Sequence, residues 1–175
     1  MPVSRWTAEI LDGFAPAVSY EIRVTVSQLS RLVEKYGDTI PSPDEGFVDS
    51  TEDALLHSSL MHLRSLDDFF NGGGSARGGG RPPDIRASDW VKWAAEPWLD
   101  PRVRSQIDWQ VVHLSTLREM PWPKWQLPRY GAALCSEVER FFKAVGAECK
   151  DRLPAFDHNP WEEAKNAAAI FDAYV

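Results

Sequence analysis

The apolar residues of this chain recur at helical spacing, and no segment shows the sustained alternation of apolar and polar residues that is typical of a strand. In residues 19–37 the apolar positions are Ile22, Val26, Leu29, Val33 and Tyr36. We predict an amphipathic helix here, with Ser19 as its N-terminal cap and Gly37 at its end. A chain built from such segments buries its apolar stripes by packing helix against helix.

A second helix is predicted from Ser50, a capping residue with Asp53 three positions later, to Asn71. The glycine-rich residues 72–83 follow it. They lack the Gly-Lys-Ser/Thr ending of a phosphate-binding loop and follow a helix rather than a strand. We therefore predict a flexible loop, whose arginines could still order on a negatively charged partner.

Two helices are predicted in the middle of the chain. A short one lies in residues 84–98, with Ser88 as its cap and Pro97 as its stop. The next has Asp100 as its cap and Pro101 as its first residue. Its predicted buried stripe is Val103, Ile107, Val111, Leu114 and Leu117.

The remaining apolar stripes predict a long helix over about 128–153 and a last helix that Asn159 caps and Pro160 begins. Together the segments predict an all-α fold: a helical bundle of about four main helices plus shorter ones, with a Gly-rich loop. The 175 residues fit one domain, 1–175, and we find no internal repeat.

Charge, hydropathy and cysteine content disfavour several classes of function. The net charge of −7 opposes nonspecific binding to nucleic acid, and no apolar run approaches the roughly 20 residues that cross a bilayer. A secretory signal needs an unbroken apolar stretch near the N-terminus, and Glu9 and Asp12 interrupt that stretch here. We therefore expect a cytoplasmic protein. Cys135 and Cys149, about 20 Å apart on one predicted helix, cannot form a disulfide with each other. No spacing indicates a metal site, and no cofactor is expected.

On the second helix Asp53, His57, Arg64 and Asp68 share one side, where we expect a solvated face and an Arg64–Asp68 pair. His57 and His62 are five residues apart, which is wrong for a helical two-histidine metal site.

His62 and Asp67 lie within the apolar arc of the same helix, so each needs a hydrogen-bond partner. His113, at the edge of the next stripe, could approach His62 in a shared site. We favour the alternative, in which each histidine bonds to a backbone carbonyl or a carboxylate.

The segment "MPWPKWQLP" places Trp122 and Trp125 between prolines. They form either an exposed recognition surface or an apolar plug at the end of the bundle, and we favour the plug. The chain contains neither a GxSxG nor an HExxH motif, and it has no cysteine with a histidine at helical reach. Serine and thiol hydrolases are therefore disfavoured.

Arg152 and His158, in "RLPAFDH" just before the last helix, match the spacing of an arginine followed by a histidine at a helix start. In this motif and in its all-helical character the chain resembles the HEPN superfamily of helical ribonucleases and toxin or defence proteins, which often act as dimers. The resemblance implies a metal-independent site for RNA.

The segments "HLRSLDDFF", "DIRASDW" and "VVHLSTLR" are similar to parts of bacterial all-helical proteins of unassigned activity. They direct attention to seven residues: His62, Arg64, Asp67, Arg86, Asp89, His113 and Arg118.

Two functional hypotheses follow. The first is a protein that acts mainly by binding, as a homodimer or with a protein partner, within a bacterial defence or toxin–antitoxin type of system; its polar core residues Asp67, Arg86 and Asp89 would orient helices. The alternative is a HEPN-like ribonuclease, in which a histidine acts as general acid or base and an arginine stabilises charge on phosphate. Its catalytic candidates are His62, Arg64, His113, Arg118, Arg152 and His158.

Overall fold

The computed structural model describes residues 6–38, 50–72, 85–109 and 125–175. These residues form helices and contain no strand. The helices are α1 (Ala8–Tyr36), α2 (Ser50–Asn71), α3 (Ala87–Trp90), α4 (Pro101–Ile107), α5 (Leu127–Glu148) and α6 (Pro160–Asp172), with a 3-10 helix at Lys150–Ala155. The predicted all-α bundle of four main helices is confirmed, the four being α1, α2, α5 and α6.

Helix α1 is central to the bundle, because it packs against α2, α5 and α6. Its apolar stripe, including Ile22 and Leu29, is fully buried and joins Leu60 of α2, Phe141 of α5 and Phe171 of α6 in one core. None of the helices in the described ranges is long and apolar enough to cross a membrane.

Helix α1 begins eleven residues before the predicted cap at Ser19, which was wrong. Thr7 is the cap, and its hydroxyl accepts a hydrogen bond from the Ile10 amide at 3.3 Å. Ser19 lies inside the helix and donates to the carbonyl of Ala15 at 3.0 Å. The predicted end is confirmed, since Gly37 has a φ of +74° and its amide donates to Val33.

Helix α2 runs from Ser50 to Asn71, as predicted. Gly72 follows with a φ of +64°, and its amide donates to the Asp68 carbonyl at 3.0 Å. Most of the predicted glycine-rich loop, residues 73–83, lies outside the described residues.

The third predicted helix is much shorter in the structure. Helix α3 is a single turn, because Val91 adopts an extended backbone conformation. Arg86, not Ser88, occupies the N-cap position, and Pro97 is not the stop. Helix α4 begins as predicted, since the Asp100 carboxylate accepts from the Arg102 amide at 2.8 Å.

The predicted helix over 128–153 ends earlier, at Glu148, because Cys149 leaves the helical conformation with a φ of −143°. Cys135 is buried in α5, Cys149 is its C-cap, and both thiols are free. Helix α6 begins at Pro160 after Asn159, as predicted, but the Asn159 side chain makes no capping hydrogen bond.

Aromatic rings fill the end of the bundle where α2, α3 and α5 meet. The Phe70 ring lies 5.9 Å from that of Phe141 and 5.7 Å from that of Trp93. Trp125 is at the opposite end of the bundle, just before α5 begins, and is 1% exposed. This confirms the predicted apolar plug for Trp125, whereas Trp122 lies outside the described residues.

Candidate functional site

A cluster of charged side chains joins α2 to α4. Arg104 of α4 donates to both Asp67 and Asp68 of α2, while Arg64 of α2 donates to Asp68 and to Asp108, which follows α4. We call these five residues the α2–α4 cluster. The predicted pair between Arg64 and Asp68 is confirmed, but Arg104 and Asp108 were not predicted as partners, because they lie 36 to 44 residues away along the chain.

Asp67 is the most buried member of the α2–α4 cluster, at 2% exposed. Burial raises the pKa of its carboxyl, while hydrogen bonds from Asn71 and Arg104 act in the opposite direction. The sequence prediction that this core-facing carboxylate needs partners is confirmed. Since both arginines of the cluster are bound by carboxylates, the cluster is suited to holding α4 on α2 rather than to binding phosphate.

His62 pairs with Glu21 across the seam between α1 and α2. Its Nδ1 lies 2.7 Å from Glu21 Oε2, and the Tyr20 ring packs edge-on against the imidazole with ring centres 6.4 Å apart. A carboxylate only accepts hydrogen bonds, so Nδ1 carries the proton. The favoured carboxylate partner is therefore found for His62, whereas His113 lies outside the described residues and the shared site stays a prediction.

The other predicted site residues are spread over the molecule. The Arg86 amide donates to the Asp89 carboxylate at 2.9 Å, so this pair begins α3. Arg152 lies in the 3-10 helix, with Nε 3.9 Å from Asp12 of α1, and His158 is exposed just before α6. Arg118 lies outside the described residues. Within the described ranges, no group of three or more potential ligands could hold a metal ion.

Part of the outer surface of α1 and α2 has no Asp, Glu, Lys or Arg among the residues classed as exposed, although the Asp12 side chain nearby is 42% exposed. The exposed residues of α1 from position 10 to position 20 are Ile10, Gly13, Phe14, Pro16, Ala17 and Tyr20. Those of α2 from position 51 onward are Thr51, Ala54, Met61 and Ser65. The exposed face of a surface helix is usually charged or polar, so this surface is unusual.

The contact between Tyr20 and His62 brings the two uncharged surfaces together. We define the uncharged face as Phe14, Ala17 and Tyr20 of α1 with Met61 and Ser65 of α2. Sequence analysis missed these residues. The signal was available, because residues 13–20 and 54–61 contain no Asp, Glu, Lys or Arg.

The large side chains of the uncharged face are well exposed: Phe14 by 50%, Tyr20 by 58% and Met61 by 50%. By contrast, the exposed positions of α5 include Arg129, Glu139, Lys143 and Glu148. Exposed charged residues are therefore present on α5 but absent from the uncharged face of α1 and α2.

Comparisons with known proteins found no matching family model, no matching curated protein and no matching solved structure.

Proposed function

We propose that this protein acts by binding, and that its partner is a second copy of the same chain held against the uncharged face. The observation that supports this most strongly is that the uncharged face presents large exposed side chains and no Asp, Glu, Lys or Arg of its own. Interface cores are depleted of charged residues and enriched in aromatic residues and methionine, which is the composition provided by Phe14, Tyr20 and Met61.

The charge distribution is compatible with a second copy at this face. Each chain carries a net charge of −7, so two copies repel each other over most of their surfaces. In a two-fold contact the same patch meets itself, and any charge near the axis meets a like charge. The uncharged face is a surface on which this repulsion is absent.

The pair between His62 and Glu21 has an orienting role in this proposal. It joins α1 to α2 beside the uncharged face, where the Tyr20 ring packs edge-on against the imidazole. The free thiols Cys135 and Cys149 suit the reducing cytoplasm, where we place the protein.

The molar mass of the protein in solution tests the proposal. We expect wild-type protein at about 100 µM to elute from a sizing column with light-scattering detection near twice the 19.7 kDa chain mass. Phe14→Glu and Met61→Glu should each weaken the dimer at least tenfold, because a carboxylate would then have to be buried in the contact. Ser136→Glu, on the exposed surface of α5, is the matched control and should leave the dimer intact.

A monomeric wild-type protein, or a dimer that survives Phe14→Glu, would contradict the proposal. The ribonuclease alternative is tested separately by RNA cleavage in EDTA. Among its candidates Arg64 is bound by carboxylates, whereas His158 is exposed. Cleavage that is lost in a folded His158→Ala variant would replace binding with catalysis as the function.

A further inference from the structure

Helix α2 ends at an asparagine that is followed by a glycine, Asn71 and Gly72, directly beside the most buried member of the α2–α4 cluster. The Asn71 side chain donates from Nδ2 to Asp67 Oδ1 at 2.6 Å. Its own Oδ1 is buried and has no donor among the described residues. Asn71 is therefore, with Arg104, one of the two side chains that donate to the buried Asp67 carboxylate within the described structure.

The same two residues contain both reacting groups of an intramolecular reaction. The backbone nitrogen of Gly72 attacks Cγ of Asn71, which closes a cyclic succinimide and expels the side-chain nitrogen as ammonia. Glycine favours this attack because it has no Cβ to hinder the approach. Water then opens the ring at either carbonyl and leaves aspartate or isoaspartate at position 71. One water is consumed, one ammonia is released, and nothing is oxidised or reduced.

The other two asparagines of the chain lack this combination. Asn159 is followed by Pro160, whose ring nitrogen carries no N–H and cannot form the succinimide. Asn166 lies inside α6 and is followed by Ala167, whose Cβ hinders the approach. The chemistry of the chain therefore singles out Asn71.

Hydrogen bonds hold both reacting groups in the folded protein. The Gly72 amide donates to the Asp68 carbonyl at 3.0 Å, and the Asn71 amide donates to Asp67. The attack therefore requires the last turn of α2 to open, and helix ends open more readily than helix centres. The reaction is slow in the folded state, and its rate depends on how firmly the end of α2 is held.

We propose that Asn71 is a site of spontaneous deamidation and that the reaction loosens α4 from α2. In the aspartate product an oxygen takes the place of the amide nitrogen that lies 2.6 Å from Asp67 Oδ1, so a donor becomes a second carboxylate. Like charges this close repel each other. The other oxygen of the new carboxylate is buried where the described structure offers no donor.

The product leaves Asp67, which is 2% exposed, with Arg104 as its one side-chain donor among the described residues. Because the reaction needs only water and is irreversible, the loosened form accumulates as the protein ages. This site is independent of the proposed dimer.

The test is prolonged incubation of full-length wild-type protein at mildly alkaline pH, followed by peptide mass spectrometry and an assay for isoaspartate. We expect the mass increase that accompanies replacement of NH₂ by OH in the peptide that contains Asn71, and none in the peptides that contain Asn159 and Asn166. Asn71→Gln is the control, because its longer side chain closes the corresponding ring far more slowly. No mass increase at Asn71, or an equal one at Asn166, would overturn the proposal.

Two variants of Asp67 test how the structure holds the reacting amide. Asp67→Ala removes the acceptor of the Asn71 amide, whereas Asp67→Asn keeps an acceptor oxygen, and both remove the carboxylate that Arg104 binds. Deamidation should be about fivefold faster in Asp67→Ala than in Asp67→Asn, because one hydrogen bond is lost. Far-ultraviolet circular dichroism checks that both variants are folded. Equal rates would overturn the proposed protection.

The effect of the product on stability is measured with Asn71→Asp, which should unfold at a lower urea concentration than wild type. Asn166→Asp, on the exposed surface of α6, is the matched control and should unfold near the wild-type value. An Asn71→Asp variant as stable as Asn166→Asp would overturn the loosening of α4 from α2. None of these results bears on the dimer, which is measured by mass.

Discussion

Replacing Arg104 with methionine removes the guanidinium that donates to both Asp67 and Asp68. Asp67 is 2% exposed and then keeps the Asn71 amide as its donor among the described residues. Removing one partner of a buried ion pair costs about 3 to 5 kcal/mol, because a charge is left buried without compensation. Since Asn71 remains and the Arg104 side chain is 20% exposed, we expect the lower limit, about 3 kcal/mol.

Urea unfolding at neutral pH, followed by circular dichroism, measures this loss. Arg64→Met is the matched control, because its partners Asp68 and Asp108 are 23% and 27% exposed. Partly solvated pairs contribute less, and we expect that variant to lose about 1 kcal/mol. The reasoning is refuted if Arg104→Met costs no more than Arg64→Met. A second check is the double variant Asp67→Asn/Arg104→Met, which should recover part of the loss because the buried carboxylate is gone.

Three further predictions concern buried groups. Burial raises the pKa of Asp67, so its ionised form is disfavoured in the folded state. As the pH falls from 7 toward about 4, the free energy of unfolding of wild type should therefore rise relative to that of Asp67→Asn. Urea titrations at several pH values measure this difference, and a fall instead of a rise would contradict the prediction. A Cβ at Gly131 would lie 2.6 Å from the buried Phe171 ring, whereas one at Gly146 meets nothing closer than 3.8 Å. Thermal unfolding should therefore show that Gly131→Ala is destabilised by about 1 to 3 kcal/mol. Gly146→Ala, its control, should be stabilised by up to about 1 kcal/mol. Burial raises the pKa of the Cys135 thiol to about 12. In a Cys149→Ser variant, which leaves Cys135 as the one thiol, a chromogenic disulfide reagent should therefore react only after unfolding in urea, and rapid modification of the folded variant would be the contrary result.

The helices were predictable where the signal is local. Gly37 ends a helix, while Asp100 and Pro160 mark helix starts, and each role depends only on neighbouring residues. The structure confirms these predicted helix ends. The first eleven residues of α1 were missed because Gly13 and Pro16 disfavour a helix. Tertiary packing outweighs that preference.

The candidate sites were less predictable, since their contacts are distant in sequence. The helical wheel placed Asp67 on a buried face, but nothing in it indicated Arg104 as the partner. Glu21 and His62 are 41 residues apart, and only the packing of α1 on α2 brings them together. Likewise, an uncharged run such as 13–20 becomes a surface only when the neighbouring stripe is known to be buried.

The mass of wild-type protein as a function of its own concentration tests the central claim most directly. Sedimentation equilibrium over roughly 1 to 100 µM, the range in which a contact of moderate affinity forms, should show the mass rising from 19.7 kDa to twice that value. Phe14→Glu measured in parallel should stay near the chain mass. A wild-type mass that remains at 19.7 kDa throughout would contradict the account.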